Sequence, residues 1–194
     1  MRLQTVLNGS HVRSEDHEHT TIFEEYMRNK LPPEKTEEVL FENAQMLVGA
    51  GFETTGFTLS TAHYHLLSNT DVCRRLKKEL ADVWPDTDTI PPWTTLERLP
   101  YLKAVIQESL RLSVGVMSRL SRINHHSSIH YGDWVIPPGT PVSMSQRFIH
   151  FDPSIYPDPW RFDPERWLQG EKSKQLEKYL VSFSRGTRRC VGMQ

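Results

Sequence analysis

Three short stretches of this 194-residue chain combine residue types that can do chemistry. The first lies almost at its end: Phe183-Ser184-Arg185-Gly186-Thr187-Arg188-Arg189-Cys190-Val191-Gly192. It holds one of two cysteines, bracketed by glycines and preceded by three arginines. Cysteine is a nucleophile or metal ligand only as the thiolate, and nearby cations lower the thiol pKa. Gly186 can adopt φ > 0 and turn the backbone ahead of the thiol. Guanidinium groups can clasp the carboxylates of a ligand in a planar fork. The alternative is a basic surface loop with an incidental cysteine.

The second stretch is Ala50-Gly51-Phe52-Glu53-Thr54-Thr55-Gly56. Two glycines and two adjacent threonines are poor helix interior, and a threonine hydroxyl can bond back to the preceding turn and bend a helix. Either the glycines admit a close helix contact, or the helix opens a groove holding water, with Glu53 and Thr54 supplying protons. The third is the pair Glu108 and Arg111. Three residues apart on a helix they are neighbours, and an ordinary surface pair of this kind contributes only about 0.2–0.5 kcal/mol.

The elements that carry these residues follow from periodicity and punctuation. Ile22, Phe23, Tyr26 and Met27 suit one face of a short helix over 20–29, which Leu31-Pro32-Pro33 ends. A long helix is expected over 33–67, with Glu34, Glu37 and Glu38 in its first turns, where they suit the helix dipole. It is apolar on more than one side, as a helix crossing the middle of a larger protein would be. Asp71 to Val83 is a further helix, with Leu76 and Leu80 inward and Cys73 a small buried group. A strongly amphipathic helix is expected over 95–112, presenting Leu96, Leu99, Leu102, Val105, Ile106 and Leu110. Ser113 to Arg119 reads as extended. Tyr131–Ile136 and Pro141–Ser145 read as a β-hairpin, because Pro138-Gly139 suits the centre of a type II turn. The hairpin and a proline-set meander fill 129–168, and Gln169 to Lys178 reads as polar and exposed.

Composition narrows the function classes. Lysine and arginine number 23 and aspartate and glutamate 24, so charge gives no reason to propose nucleic acid as a partner. Two cysteines so far apart make no disulfide framework. No run approaches the length of a membrane span, and the N-terminus lacks the apolar core of a signal peptide. The run Ser14 to His19 reads as a solvated loop. His63, His65, His125, His126 and His130 are assigned no metal role.

The pattern Phe-x-x-Gly-x-Arg-x-Cys-x-Gly at 183–192 resembles the haem-binding loop of the cytochrome P450 family. Ala50-Gly51-x-Glu53-Thr54-Thr55 resembles that family's oxygen-activation motif, Glu108-x-x-Arg111 its helical ion pair, and Pro164-Glu165-Arg166-Trp167 its Pro-Glu-Arg-Phe segment, with Trp for Phe. The four occur in the family's order. The resemblance implies a fold that is mainly α with a small β portion, the C-terminal part of the cytochrome P450 fold. It implies haem b, iron protoporphyrin IX, with Cys190 as the axial thiolate. Arg188 and Arg119 would pair with the propionates, and Phe183 and Gly186 would shape the loop around the sulfur. Thr54 would hydrogen-bond dioxygen, with Glu53 relaying protons. Glu108, Arg111 and Arg166 would form a buried cluster fixing the loop, so that Glu108→Ala prevents haem incorporation.

The implied function is a haem-thiolate monooxygenase that inserts one atom of O2 into an apolar organic substrate, with electrons from an NADPH-dependent reductase. Location at the endoplasmic reticulum membrane is expected for the complete protein. The form of the cysteine loop looks most like fungal members, which suggests secondary metabolism. The chain resembles only the C-terminal part of the family and is expected to be truncated at both ends and inactive alone. The competing readings are a non-catalytic remnant that binds no haem and, less well supported, a haem-thiolate isomerase or dehydratase, against which the Glu53-Thr54 pair argues.

Overall fold

The structure is a computed structural model and describes residues 37–86 and 88–193. The helix expected over 20–29, the charge run 14–19 and the start of the long helix before residue 37 lie outside the described residues. The fold is mainly helical with a small β part. The chain divides into two compact units, Met1–Glu53 and Thr54–Gln194.

Helix α1, Glu37–Ser68, contains the boundary between the units. In the N-terminal unit Leu40 is buried, whereas Phe41, Met46, Val48 and Phe52 are exposed. α1 runs as continuous α-helix through Ala50–Gly56. Hydroxyls further along α1 bond back to the preceding turn. Thr58 Oγ1 donates to the Thr54 carbonyl at 3.0 Å, Ser60 Oγ to Gly56 at 2.8 Å and Thr61 Oγ1 to Phe57 at 2.9 Å. Such bonds add to the backbone ladder without replacing it, so the helix continues.

In the C-terminal unit, α1 passes to α2, Thr70–Val83, through the single residue Asn69. The Asn69 backbone N–H and side-chain amide both donate to the His65 carbonyl, at 3.0 and 2.7 Å. A one-turn helix α3, Trp93–Leu96, precedes α4, Pro100–Ser113. The single helix expected over 95–112 is therefore two. Proline disfavours helical backbone at the residue before it, and Leu99 is extended at φ −74°, ψ 112°. Pro100 then opens α4, where its missing N–H costs nothing. Leu99 provides no side-chain cap. Instead Glu79, from α2, accepts from the Tyr101 and Leu102 N–H groups, one on each carboxylate oxygen and each at 2.8 Å.

Two apolar clusters hold α4 in place. Leu76 of α2, Tyr101 and Val105 of α4, and Phe162 form one. Ala104 of α4, Tyr156 and Trp167 form the other, and Leu168 packs against both. The indole and phenol come from the proline-rich stretch, which folds as helix α5, Gln146–His150, a run of turns, and a 3-10 helix, Pro164–Leu168. Gln169–Lys178 is largely exposed, and within it α6 occupies Glu171–Glu177, entered through Gly170 at φ +61°.

The β part also differs from the expectation. Strand β2, Ile129–Tyr131, pairs antiparallel with β3, Trp134–Ile136, across a turn at Gly132-Asp133. Strand β4, Pro141–Val142, pairs with β1, Arg122–Ile123, and not with β3. The turn chemistry at Pro138-Gly139 is present, with Gly139 at φ +83° and the Thr140 N–H donating to the Pro137 carbonyl. That turn carries the chain out of the hairpin to a different partner. Local turn residues specify a reversal but not which strand lies beyond it.

Candidate functional site

The centre of the C-terminal unit is a buried charge cluster. Glu108 and Arg111 stand one turn apart on α4, and neither side chain is exposed at all. Arg111 grips the carboxylate with both arms of its fork: Nη2 donates to Oε1 at 2.8 Å and Nε to Oε2 at 3.0 Å. Oε1 also accepts from Arg166 Nε at 3.1 Å and from the Asp163 N–H at 3.0 Å. Oε2 accepts from Trp167 Nε1 at 2.9 Å. The carboxylate is thus saturated, which is what makes a buried charge tolerable.

Arg111 reaches further. Its Nη1 donates to the carbonyls of His150 at 2.8 Å and Pro159 at 2.7 Å, and its Nη2 to Arg161 at 3.3 Å. Arg166 Nη1 donates to the Pro157 carbonyl at 3.2 Å. One helical pair therefore ties down the stretch 150–166, where irregular backbone leaves carbonyls in need of donors. The Tyr156 ring lies under the Arg111 guanidinium, 5.1 Å from centroid to Cζ. Burial raises the Tyr156 phenol pKa, and its hydroxyl donates to the Leu176 carbonyl at 3.2 Å.

Sequence reasoning placed Glu108, Arg111 and Arg166 together and missed Trp167. The signal was available. An indole buried in a core has one N–H to satisfy, and a phenylalanine at that position would give Glu108 no such donor.

The cysteine loop follows α6. The Ser184 N–H donates to the Val181 carbonyl and the Cys190 N–H to the Phe183 carbonyl, both at 2.8 Å. Between these bonds the chain turns through Ser184 at φ +61° and Gly186 at φ +77°, then through a 3-10 turn, Gly186–Arg188. The left-handed conformation costs little at glycine. At Ser184, which has a Cβ, it is strain that the loop closure must offset. Phe183 is half-buried and Cys190 exposed. A Cβ on Gly192 would lie 3.8 Å from the Cys190 sulfur, so the backbone passes close beneath the thiol.

The remaining candidates lie around this frame. Arg188 and Arg119 are both exposed, and neither makes a side-chain hydrogen bond or ion pair with the described residues. Ser118 and Leu120, on either side of Arg119, line a cleft of about 900 Å³ together with Val181, Ser184 and Arg185 of the cysteine loop. The Arg119 segment and the cysteine loop thus border the same space. Ser113 ends α4, residues 114–119 are irregular rather than strand, and Val114 is left-handed at φ +41°. Thr54 is half-buried against Gly115, where a Cβ would come within 3.6 Å of the threonine Cβ. Glu53 is exposed and ends the N-terminal unit. Among the described residues no group of three or more His, Cys, Asp or Glu could hold a metal ion without further ligands.

Comparison with known proteins identifies the frame. The profile of the family described as Cytochrome P450 matches residues 9–194. This chain belongs to the cytochrome P450 family. It is 45% identical over 182 residues to the cytochrome P450 monooxygenase sdnE of Sordaria araneosa, covering 91% of this chain and 35% of that protein. It is 45% identical over 183 residues to the cytochrome P450 monooxygenase claJ of Penicillium crustosum, covering 92% of this chain and 42% of that protein. The fusicoccadiene C-8 hydroxylase of Phomopsis amygdali is 42% identical over 176 residues, covering 90% of this chain and 33% of that protein. The chain therefore spans about a third to two fifths of the length of these P450 relatives. None of its described helices is long and apolar enough to cross a membrane.

Proposed function

We propose that this chain carries the cysteine-ligand half of a haem-thiolate monooxygenase that hydroxylates an apolar organic substrate of fungal secondary metabolism. The observation that carries the reading is the Cys190 loop, closed on itself by the Phe183–Cys190 backbone bond at 2.8 Å. Its donor set fits a haem. The loop presents the exposed Cys190 thiol, and among the described residues Arg188 and Arg119 make no side-chain hydrogen bond or ion pair.

In this reading Cys190 would hold the iron through its sulfur. Arg188 and Arg119 would pair with the propionates. The chemistry supplied by a bound haem b is reductive O2 cleavage, one oxygen atom going to the substrate and the other to water, with two electrons and two protons consumed. Electrons come from an NADPH-dependent reductase, and the complete protein works at the endoplasmic reticulum membrane. Thr54 presents its hydroxyl from α1 and Glu53 delivers protons from solvent. Phe183 and Gly186 shape the loop, and the cluster of Glu108, Arg111 and Arg166 holds it. The hydroxylase name of the Phomopsis relative supports C–H hydroxylation as the reaction class.

The test is reconstitution of the chain with haem, reduction, and exposure to carbon monoxide, with Cys190→Ser alongside. A strongly red-shifted Soret band that disappears in the variant is the expected result. A Soret band unchanged by Cys190→Ser would overturn the ligand assignment. No haem uptake by the wild-type chain would favour a non-catalytic remnant.

A further inference from the structure

His150 is the one residue that joins the buried charge cluster to the cysteine loop through both its backbone and its side chain. It closes α5 and is fully buried. Its carbonyl accepts from Arg111 Nη1 at 2.8 Å. Its Nε2 accepts from the Val181 N–H at 3.0 Å. Val181 in turn accepts from the Ser184 N–H, the first bond of the turn that leads to Cys190. Beside it, Ser182 Oγ donates to the Leu110 carbonyl on α4 at 3.0 Å. The base of the loop is thus held at two consecutive residues, one tied to α4 directly and one through His150.

We propose that His150 is a positioning residue for Cys190, an imidazole bridge that transmits the placement of the Glu108–Arg111 cluster to the base of the thiolate loop. The bridge has a specific chemical requirement. Nε2 must be the bare nitrogen, so the proton must sit on Nδ1, and the ring must be neutral. Burial first, and the adjacent Arg111 charge second, lower the imidazole pKa to about 4, which keeps it neutral at physiological pH. Nδ1 is buried with no partner among the described residues. An N–H left so is costly, and it is retained here because the opposite nitrogen is committed to Val181.

The consequence at the iron rests on the haem-thiolate reading; the bridge itself does not. The experiment therefore has two arms on the chain and on His150→Gln and His150→Leu. Glutamine can place an acceptor oxygen near the position of Nε2, whereas leucine leaves the Val181 N–H unpaired. In the first arm, nitrogen-15 NMR of the wild type reads the tautomer, and hydrogen exchange reads the Val181 and Cys190 amides. The expected results are an Nδ1–H tautomer and exchange at these amides about tenfold or more faster in His150→Leu. The glutamine variant should exchange within about threefold of wild type, and the α2 amides should be unchanged in both. A proton on Nε2, or equal exchange at Val181 in all three proteins, would overturn the proposal. Acceleration spread evenly over α2 and α4 would also overturn it, because that is general destabilisation. If leucine prevents folding, the wild-type tautomer and the glutamine exchange still decide.

In the second arm, the fraction of the reduced carbon monoxide complex with a red-shifted Soret band should fall in His150→Leu and recover in His150→Gln. Wild-type chain lacking the band altogether would place the haem-thiolate function in the longer protein, and the first arm would judge the bridge alone.

Discussion

The carboxylate of Glu108 shows how one buried charge is made to organise a site. It receives two donors from Arg111 and one each from Arg166, Asp163 and Trp167. The indole is the donor that can be removed with least change of shape. Trp167→Phe should lower stability by about 1.5–3 kcal/mol, the range for a hydrogen bond to a charged group, read as a shift in denaturation midpoint at unchanged slope. Glu108→Ala should cost more, about 3–5 kcal/mol, because it strands two guanidiniums without their counter-charge. His150 adds a pH dependence. Its folded pKa of about 4 lies below its ordinary 6.5. Between those values the unfolded chain binds a proton that the folded chain refuses. Its contribution is therefore complete above about pH 6.5 and is lost as pH falls towards 4, with a total on the order of 3 kcal/mol. His65 is shifted the same way, chiefly by burial. Denaturation midpoints at about pH 5 and about pH 7 should differ less in His150→Gln than in wild type.

At the scale of elements, the position of α4 is decided by a side chain from another helix. The first donors of a helix need acceptors, and those of α4 find the Glu79 carboxylate of α2. A negative group there also favours the positive end of the helix. The same two bonds lock α2 to α4, beside the cluster of Leu76, Tyr101 and Val105. Glu79→Ala should cost about 1–2 kcal/mol, like the loss of a strong cap, and Glu79→Gln should cost less. Chemical denaturation of the three proteins checks the order. The small β elements have no such anchor. Tyr131, Trp134 and Val135 of the hairpin are exposed, and a two-stranded ribbon has little stability of its own.

At the scale of the whole molecule, α1 leaves many large apolar side chains in water. Phe57 is 51% exposed and Tyr64, two turns later on the same side, is 67% exposed. Contiguous apolar surface of this kind is an aggregation liability. The expected behaviour is concentration-dependent self-association of the chain, detected by light scattering. Phe57→Glu combined with Tyr64→Lys should raise the concentration at which it stays dispersed, and equal scattering by wild type and variant would refute the idea.

What the sequence by itself determined was local. Periodicity located α1, α2 and α4, three-residue spacing made Glu108 and Arg111 neighbours, and Gly186 marked the turn ahead of Cys190. These features depend on residues a few positions apart, so chain geometry alone sets them. Family membership was legible for the same reason, since the four motifs are short. Only the tertiary structure decided the rest. It divided the expected helix 95–112 at Leu99-Pro100 and exchanged the partner of β4. It also brought Trp167 to a carboxylate 59 residues away and the Val181 amide to an imidazole 31 residues away. Those contacts are chosen by which buried polar groups lack partners once the core has closed. That demand appears only when distant segments are packed together, and no stretch of sequence carries it alone.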